Sequence, residues 1–356
     1  MISDNSYQGW GTEEGDTYFQ KQRERADNAN TKTKKAFFSL MRTIGLELNT
    51  ATSALSIRRA YKPRHAILDL CMAPGGFSMA ALHQNPSALL RGISLPPAKG
   101  GHEMILRKWS DTDTNARIFV DFRDITLLAE EMGVPADCIP SSHPDAALFS
   151  SDRVFAGQKF DLVFCDGQVL RTHERGEHRE NHESTRLLTS QLVFSLQRIR
   201  SGGAMVVLLH KADIWPSIKL IHMFTRFTDS VELFKPLSGH KMRSSFYMVA
   251  KGVRPGREAA VQAVEEWKAQ WKKATFGMVV GDDDDGPRKG DGVFGGEEME
   301  NAKTVLDEFG DTLVRMTGPI FATQAEALRN APWVKKAGGN LSTTSEVQGG
   351  DQEGLL

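Results

Sequence analysis

One stretch of the chain constrains the fold more than any other. Ala66-Ile67-Leu68-Asp69-Leu70-Cys71 is a short apolar run that stops at Ala73-Pro74-Gly75-Gly76, and Phe77 to His83 continues in helical character. An apolar run of that length, punctuated by Pro and Gly, reads as a buried strand leading through a tight turn into a helix. Further apolar runs follow at Leu89–Ser94, Ala116–Val120 and Phe160–Cys165. Ser184 to Arg200 is a helix with Leu187, Leu188, Leu192, Val193, Leu196 and Ile199 on one face, and Gly202-Gly203 supplies its stop. Ala204–Leu209 has the near-continuous apolar character of a strand covered on both faces, and Val231–Phe234 and Ser245–Ala250 form a final pair. Strands separated by helices imply an α/β fold, a doubly wound, mostly parallel seven-stranded sheet.

The flanks differ from this centre. Residues 1–31 are polar and without periodicity, and read as a disordered N-terminal segment. From Lys32 a helix is expected, because Ala36, Phe37, Leu40, Met41, Ile44 and Leu48 recur at helical spacing. Residues 32–255 form the main domain and 256–336 a helical extension, interrupted by an acidic linker at 281–287; residues 337–356 read as a disordered tail. Trp267 and Trp271, four apart on the first extension helix, fit packing against the core better than a stacking platform.

Composition narrows the classes of function. No apolar run approaches the roughly 20 residues of a membrane span, and the N-terminal residues lack the apolar core of a secretory signal, so an intracellular place, cytoplasmic or nuclear, is expected. Cys71, Cys138 and Cys165 are too few for a disulfide framework or a four-cysteine metal centre. The formal net charge of −1 conceals an asymmetry: residues 31–255 hold 30 Lys and Arg against 21 Asp and Glu, while both flanks are acidic. A basic centre between acidic ends suits a polyanion-binding domain, although unpatterned surface charge gives the same counts.

The chemistry-bearing positions cluster at strand ends. In open α/β sheets, ligands bind outside the carboxyl ends of the strands where strand order reverses. The Pro74-Gly75-Gly76 turn after Asp69 lets backbone approach a ligand there, and it has neither the G-x-G-x-x-G of dinucleotide binders nor the lysine of a phosphate-cradling loop. A ligand gripped by backbone at its carboxylate or ribose end, such as S-adenosylmethionine, fits this turn. Asp121 in Val120-Asp121-Phe122-Arg123-Asp124 can accept from an adenine amino group, and Asp124 suits a helix N-cap. Asp166 and Lys211 end adjacent buried strands and are expected to pair across the cleft, tuning the lysine toward a base. His173, His178 and His182 alternate with Glu and Arg and read as a solvated segment, or as a lid, rather than a metal site. Lys235, His240, Lys241 and Arg243 form a basic stretch that fits an RNA-phosphate patch or plain surface.

Taken together, Asp69-Leu70, Ala73-Pro74-Gly75-Gly76-Phe77, Asp121-Phe122-Arg123-Asp124, Asp166, Lys211 and Lys235-Pro236 with Arg243-Ser244-Ser245 resemble the FtsJ-like RNA 2′-O-ribose methyltransferases over about residues 32–253. Gly92-Ile93-Ser94-Leu95-Pro96 with Gly100-Gly101-His102 is similar to a fungal branch of that family. The resemblance implies a Rossmann-like class I methyltransferase fold, S-adenosyl-L-methionine as methyl donor, RNA as partner and no required metal. It implies that Asp69, Pro74, Gly75, Gly76 and Phe77 contact the donor, with Asp121 at its adenine, and that Ser94 stands where an acidic residue usually binds ribose. Asp166 would hold the reacting centre, Lys211 would activate the 2′-hydroxyl, and Lys235, Lys241 and Arg243 would meet RNA. The family uses a Lys–Asp–Lys–Glu tetrad. Its first lysine falls in register near Phe38 or Ser39, leaving Lys35 and Lys34 just upstream as its candidates, and Phe246 follows Ser244-Ser245 where its glutamate belongs. A non-catalytic RNA- or cofactor-binding module and a small-molecule methyltransferase are the alternatives this departure leaves open.

Overall fold

The computed structural model describes residues 31–57, 64–277 and 296–331, with isolated residues between 13 and 21 and at 333–334. The acidic linker at 281–287, the tail from 337 and most of the N-terminal segment lie outside the described residues, while residues 13, 15–18, 20, 21 and 31, expected to be disordered, are helical. In chain order the elements are α1 (Thr31–Thr52), β1 (Ala66–Leu70), α2 (Gly76–Gln84), β2 (Leu89–Ser94), β3 (Ile118–Phe122) and β4 (Phe160–Cys165). They continue with α3 (Glu183–Arg198), β5 (Ile199–His210), α4 (Trp215–Thr225), β6 (Ser230–Phe234), β7 (Ser245–Val253), α5 (Glu258–Phe276) and α6 (Gly296–Arg329).

The seven strands form one sheet in the order β3-β2-β1-β4-β5-β7-β6. Strands β1 to β5 pair in parallel, and β7 runs antiparallel between β5 and β6. Strand order reverses between β1 and β4, so their carboxyl ends flank the crevice where such sheets take ligands. Ile67 pairs with Leu162 and Leu70 with Cys165, which brings Asp69 and Asp166 to the same end of neighbouring strands.

Both sheet faces are covered, which is why the strands lack polar alternation. On one face α3, α4 and α5 pack Phe194, Phe224, Trp267 and Trp271 against Val163, Met205 and Phe246, and Phe309, Leu313 and Ile320 of α6 join the same cluster. On the other, Ile44 and Leu48 of α1 and Phe77 and Ala80 of α2 close over Ile67, Phe164 and Tyr247. Both tryptophans are buried, as their spacing predicts.

One boundary differs from the sequence expectation. Helix α3 ends at Arg198, and β5 starts at once with Ile199 in extended backbone (φ −68°, ψ 142°). Gly202 and Gly203 therefore lie inside the strand instead of stopping the helix. Gly202 has φ 79°, and the register against β4 shifts between the Phe160 and Leu162 pairings. The glycines make a bulge, for which positive φ is needed, while β-branched Ile199 prefers the sheet. Among the described residues, no helix is long and apolar enough to cross a membrane.

Candidate active site

The turn after β1 is built from close contacts. Gly75 has φ 93°, a left-handed conformation that side chains resist. A Cβ on Gly76 would lie 2.3 Å from the Phe38 carbonyl oxygen and 2.9 Å from the Arg42 nitrogen. Gly76 is thus required by the approach of α1 to α2, independently of any ligand. The Pro74 carbonyl accepts from the Ile105 and Leu106 amides at 3.1 and 3.2 Å, and Ser94 Oγ accepts from the Ala73 amide at 3.2 Å, so β2 and the 104–106 segment brace the turn.

A cavity of about 770 Å³ opens at this end of the sheet. Its floor is Asp69, Cys71 to Pro74, Gly76 and Phe77, with Ile93 to Leu95 and Arg123 to Thr126 on one side. Asp166 to His173 form another wall, and Lys34, Phe37, Leu40, Met41 and the 238–243 loop form the rim. Asp69, Pro74, Gly76, Phe77, Ser94, Asp166, Lys241 and Arg243 therefore meet at one site. Gly75, Asp121, Lys35, Lys211 and Lys235 are not in its wall.

The reasons are local. Asp121 gives its carboxylate to Arg123 Nε at 2.8 Å, and Arg123 also holds Asp152 at 2.9 Å. Asp124 takes the cavity position instead, while also capping the turn after β3 by accepting from the Thr126 amide at 3.0 Å. On α1, Lys35 is exposed and Lys34 lines the cavity, 3.1 Å from Glu103. Lys211 has φ 50° and is exposed, its amide donating to the Ser244 carbonyl at 3.1 Å. Lys235 is buried: its Nζ donates to the carbonyls of Arg243 and, at 2.8 Å, Ser245, and to Gln324 Oε1 at 3.2 Å. Burial pulls this ammonium down to about 8, and with its donors spent on backbone it ties the 236–244 loop to α6 instead of facing phosphate.

Two carboxylates dominate the electrostatics. Asp69 is buried and raised to about 7 by desolvation, which outweighs the hydrogen bond from Ser78 Oγ. Asp166 is raised to about 8 by burial and then by repulsion from Asp69. The hydrogen bond it accepts from the Tyr247 hydroxyl, at 3.0 Å, acts in the opposite sense. The expected Lys211 contact is thus replaced by Tyr247. Along β7, Phe246 packs into the α3–α5 side while Tyr247 faces the cavity side, because successive strand residues point to opposite faces. Phe246 therefore does not compete for a place in the site, and Tyr247 is the residue that the sequence reading missed.

The 172–183 segment also differs from expectation. Half of it is solvated as expected, with Thr172, Glu174, Gly176, Glu177, Glu180 and Asn181 exposed, but ion pairs pin the rest. Arg179, buried, donates to both oxygens of Glu183 at 2.7 and 3.0 Å and to Asp124 at 2.8 Å. His173 lies 3.3 Å from Asp124, and His178 bonds Asp145 at 3.0 Å. Against the larger opposing effect of burial, His173, Arg179 and Thr126 hold the Asp124 carboxyl well below the usual carboxylate range. The Asp124, His173 and Glu183 donor atoms lie within 4.8 Å of one another, but Arg179 already meets both carboxylates. Thr172 Oγ1 donates to the Gly100 carbonyl at 2.7 Å and the Glu174 amide to the Lys99 carbonyl at 3.1 Å, fastening the segment as cavity wall.

Residues 50–253 match the profile of the FtsJ-like methyltransferase family. The chain belongs to that family. No curated protein matches it in sequence. Among solved structures, this FtsJ-like methyltransferase is similar to a protein assigned as a ribosomal RNA methyltransferase from Plasmodium falciparum, at 19% identity and a TM-score of 0.36, over 60% of this chain and 96% of that one. Human methyltransferase-like protein 13 in complex with SAH is similar at 12% identity and a TM-score of 0.32, over 75% and 99% of the two chains. An O-methyltransferase family protein from Burkholderia thailandensis follows at 11% identity and 0.31, over 66% and 64%. With TM-scores this low, none of the three bears on function.

The signal that could have located Tyr247 in this methyltransferase was strand alternation in Ser245–Ala250, since a polar ring amid buried residues needs a partner. Nothing in the sequence separated Asp121 from Asp124, or Lys34 from Lys35.

Proposed function

We propose that the chain transfers a methyl group from S-adenosyl-L-methionine to a ribose 2′-hydroxyl of RNA. The observation that carries this reading is the carboxylate pair of buried Asp69 and half-buried Asp166 on a large cavity at the sheet's switch point. A sulfonium donor is cationic, and two desolvated carboxylates offer the environment that such a centre lacks in an apolar pocket. The remaining walls fit the donor as well. Ser94 and Asp124 offer a hydroxyl and a carboxylate to ribose and base, and Phe77, Ile93 and Leu95 offer apolar surface. When bound, the donor supplies an electrophilic methyl group. The protein's part is to orient the acceptor in line, exclude water and take a proton. Lys34, Lys241 and Arg243 on the rim supply positive charge for a polyanion.

The apolar Phe37, Leu40 and Met41 wall favours a second reading, a small-molecule acceptor. Tritium transfer from labelled donor into total cellular RNA, comparing wild type with Asp166→Ala, tests the first. Label that appears in RNA, falls with rising salt and vanishes in Asp166→Ala is the expected result. Donor binding by calorimetry without label in RNA would overturn it.

A further inference from the structure

Two segments outside residues 50–253, the span that matches the methyltransferase profile, reach the cavity. Tyr18, in a helical turn at residues 15–18, is half-buried and lines the cavity. Its ring lies against that of Trp333, with the centroids 4.5 Å apart and the planes at 44°. Trp333 stands just past the end of α6, buried in a cluster with Leu328 and Ala331. Met242, on the cavity rim, packs against the same cluster. A ring from before α1, a ring from beyond α6 and the loop between β6 and β7 thus meet at one place on the rim.

The α6 side of this contact is anchored. Phe309, Leu313 and Ile320 of α6 belong to the main core, and Gln324 accepts from Lys235 Nζ at 3.2 Å, at the start of the loop that carries Met242. The Val334 amide donates to the Ala331 carbonyl at 3.1 Å, closing the turn that holds Trp333. An aromatic ring that must be ordered on binding loses part of the affinity it contributes, so a ring fixed beforehand serves a ligand better. Lys241 and Arg243, on either side of Met242, are exposed and also line the cavity. A fixed aromatic ring beside two exposed cations is the combination that grips a single-stranded polynucleotide: the cations meet phosphates and the ring stacks on a base. A neutral small acceptor would make no use of the two charges.

We infer that Tyr18 stacks on a base of the acceptor RNA beside the methylated nucleotide, and that Trp333 is the positioning residue that holds Tyr18 there. The inference rests on the RNA methyl-transfer reading above and deepens it. The profile-matched domain carries the donor site at the ends of β1 and β4, while the segments on either side of it supply the acceptor's aromatic contact. Loss of the Tyr18–Trp333 pair therefore weakens RNA binding and spares the donor.

The test uses the full chain and a fluorescent single-stranded RNA of mixed sequence, titrated at several ionic strengths, with donor binding followed by calorimetry. Tyr18→Ala is expected to raise the RNA Kd about 5-fold or more, the loss of one stacked base, and Tyr18→Phe to stay within about twofold of wild type. Trp333→Ala is expected to weaken RNA binding by a similar factor, and the double variant to be no weaker than the single ones, because Trp333 acts through Tyr18. The salt slope of RNA binding stays at the wild-type value in all of them, since stacking displaces no counterions. Donor affinity is likewise expected to match wild type. Should either alanine variant fail to fold, Tyr18→Leu and Trp333→Leu keep apolar volume at each position without the aromatic face and are expected to bind RNA as weakly. An unchanged RNA Kd in Tyr18→Ala, or a weakened one with a shallower salt slope, overturns the stacking assignment and leaves the RNA reading intact; the shallower slope would mean that only Lys241 and Arg243 had been displaced. Additive losses in the double variant overturn the role given to Trp333. A wild-type chain that binds the donor but neither binds nor labels RNA overturns the RNA reading and this inference with it.

Discussion

The Tyr247 hydroxyl donates a 3.0 Å hydrogen bond to Asp166 Oδ1, joining β7 to the carboxyl end of β4 across the strand between them. Tyr247 pairs with Leu208 of β5, and Val207 pairs with Cys165 of β4, so the ring reaches over one strand to the next. The contact requires the antiparallel insertion of β7, because only that order sets a ring from a late strand beside the switch point.

Tyr247→Phe keeps the ring and removes the donor. Asp166 then loses the interaction that favours its ionised form and moves further above about 8. Methyl transfer that depends on ionised Asp166 is expected to show its acid-side limb displaced to higher pH, with a stability loss of about 1 kcal/mol. The pH–rate profile and urea denaturation of wild type and variant measure both. A superimposable profile would remove Tyr247 from the site.

The raised carboxylates have a consequence for stability. Between about 3.8, where they titrate when unfolded, and about 7 and 8, the native state keeps protons that the unfolded chain has released. Stability of the ligand-free protein should therefore fall as pH rises through this window, by up to about 1.4 kcal/mol per pH unit for each group, and level off above it. Asp166→Asn should flatten the fall and raise Tm at pH 8. Calorimetric melts from pH 5 to 8.5 decide it.

Gly76→Ala places a methyl group 2.3 Å from a backbone oxygen of α1, which cannot rotate away as a side chain would. A loss of about 1–3 kcal/mol is expected from forced separation of α1 and α2. Denaturant midpoints of the variant and of a surface control measure it. An unchanged midpoint would mean that α1 rides loosely on α2.

Arg179→Ala removes the arginine that meets Asp124, Asp145 and Glu183 together, leaving the last two only Arg186 at 3.8 and 3.7 Å as a shared arginine among the described residues. Removing one partner of a buried ion pair costs about 3–5 kcal/mol. Donor affinity should fall as well, because Asp124, Thr126, His173 and Glu183 also line the cavity. Denaturation and calorimetry together separate the two effects, and a stable variant with normal affinity would contradict the network's role.

Lys241→Ala should reduce the dependence of log affinity for single-stranded RNA on log salt by about 0.7, the contribution of one phosphate contact. Lys235→Met, by contrast, should leave that slope unchanged, because Lys235 spends its donors on backbone carbonyls. Fluorescence titrations at several ionic strengths read the slopes. Equal changes in both variants would place Lys235 at the RNA after all.

The sheet was legible in the sequence because burial on both faces forces continuous apolar runs, and because Pro and Gly punctuate the turns that separate them. All seven strands stand where those runs fall, within three residues at their ends except for β5, which starts five residues early at Ile199. Asp69, the Pro74-Gly75-Gly76 turn and Asp166 were legible for the same reason, since each directly follows or ends a strand. What the sequence could not determine was which neighbouring residue faces inward. Asp124 displaces Asp121 because Arg123 claims the latter, and Lys34 lines the cavity where Lys35 is exposed, a matter of helical phase. Lys235 is buried by α6, more than 80 residues away in the chain, through Gln324. The 172–183 segment has the composition of a solvated loop, yet Asp124, Asp145 and Glu183 turn it into a wall. Patterns of hydrophobicity act over a few residues and write themselves into local sequence. The partners of a charged side chain come from distant segments, so only the tertiary structure decided which of these charges serve the cavity and which hold it together.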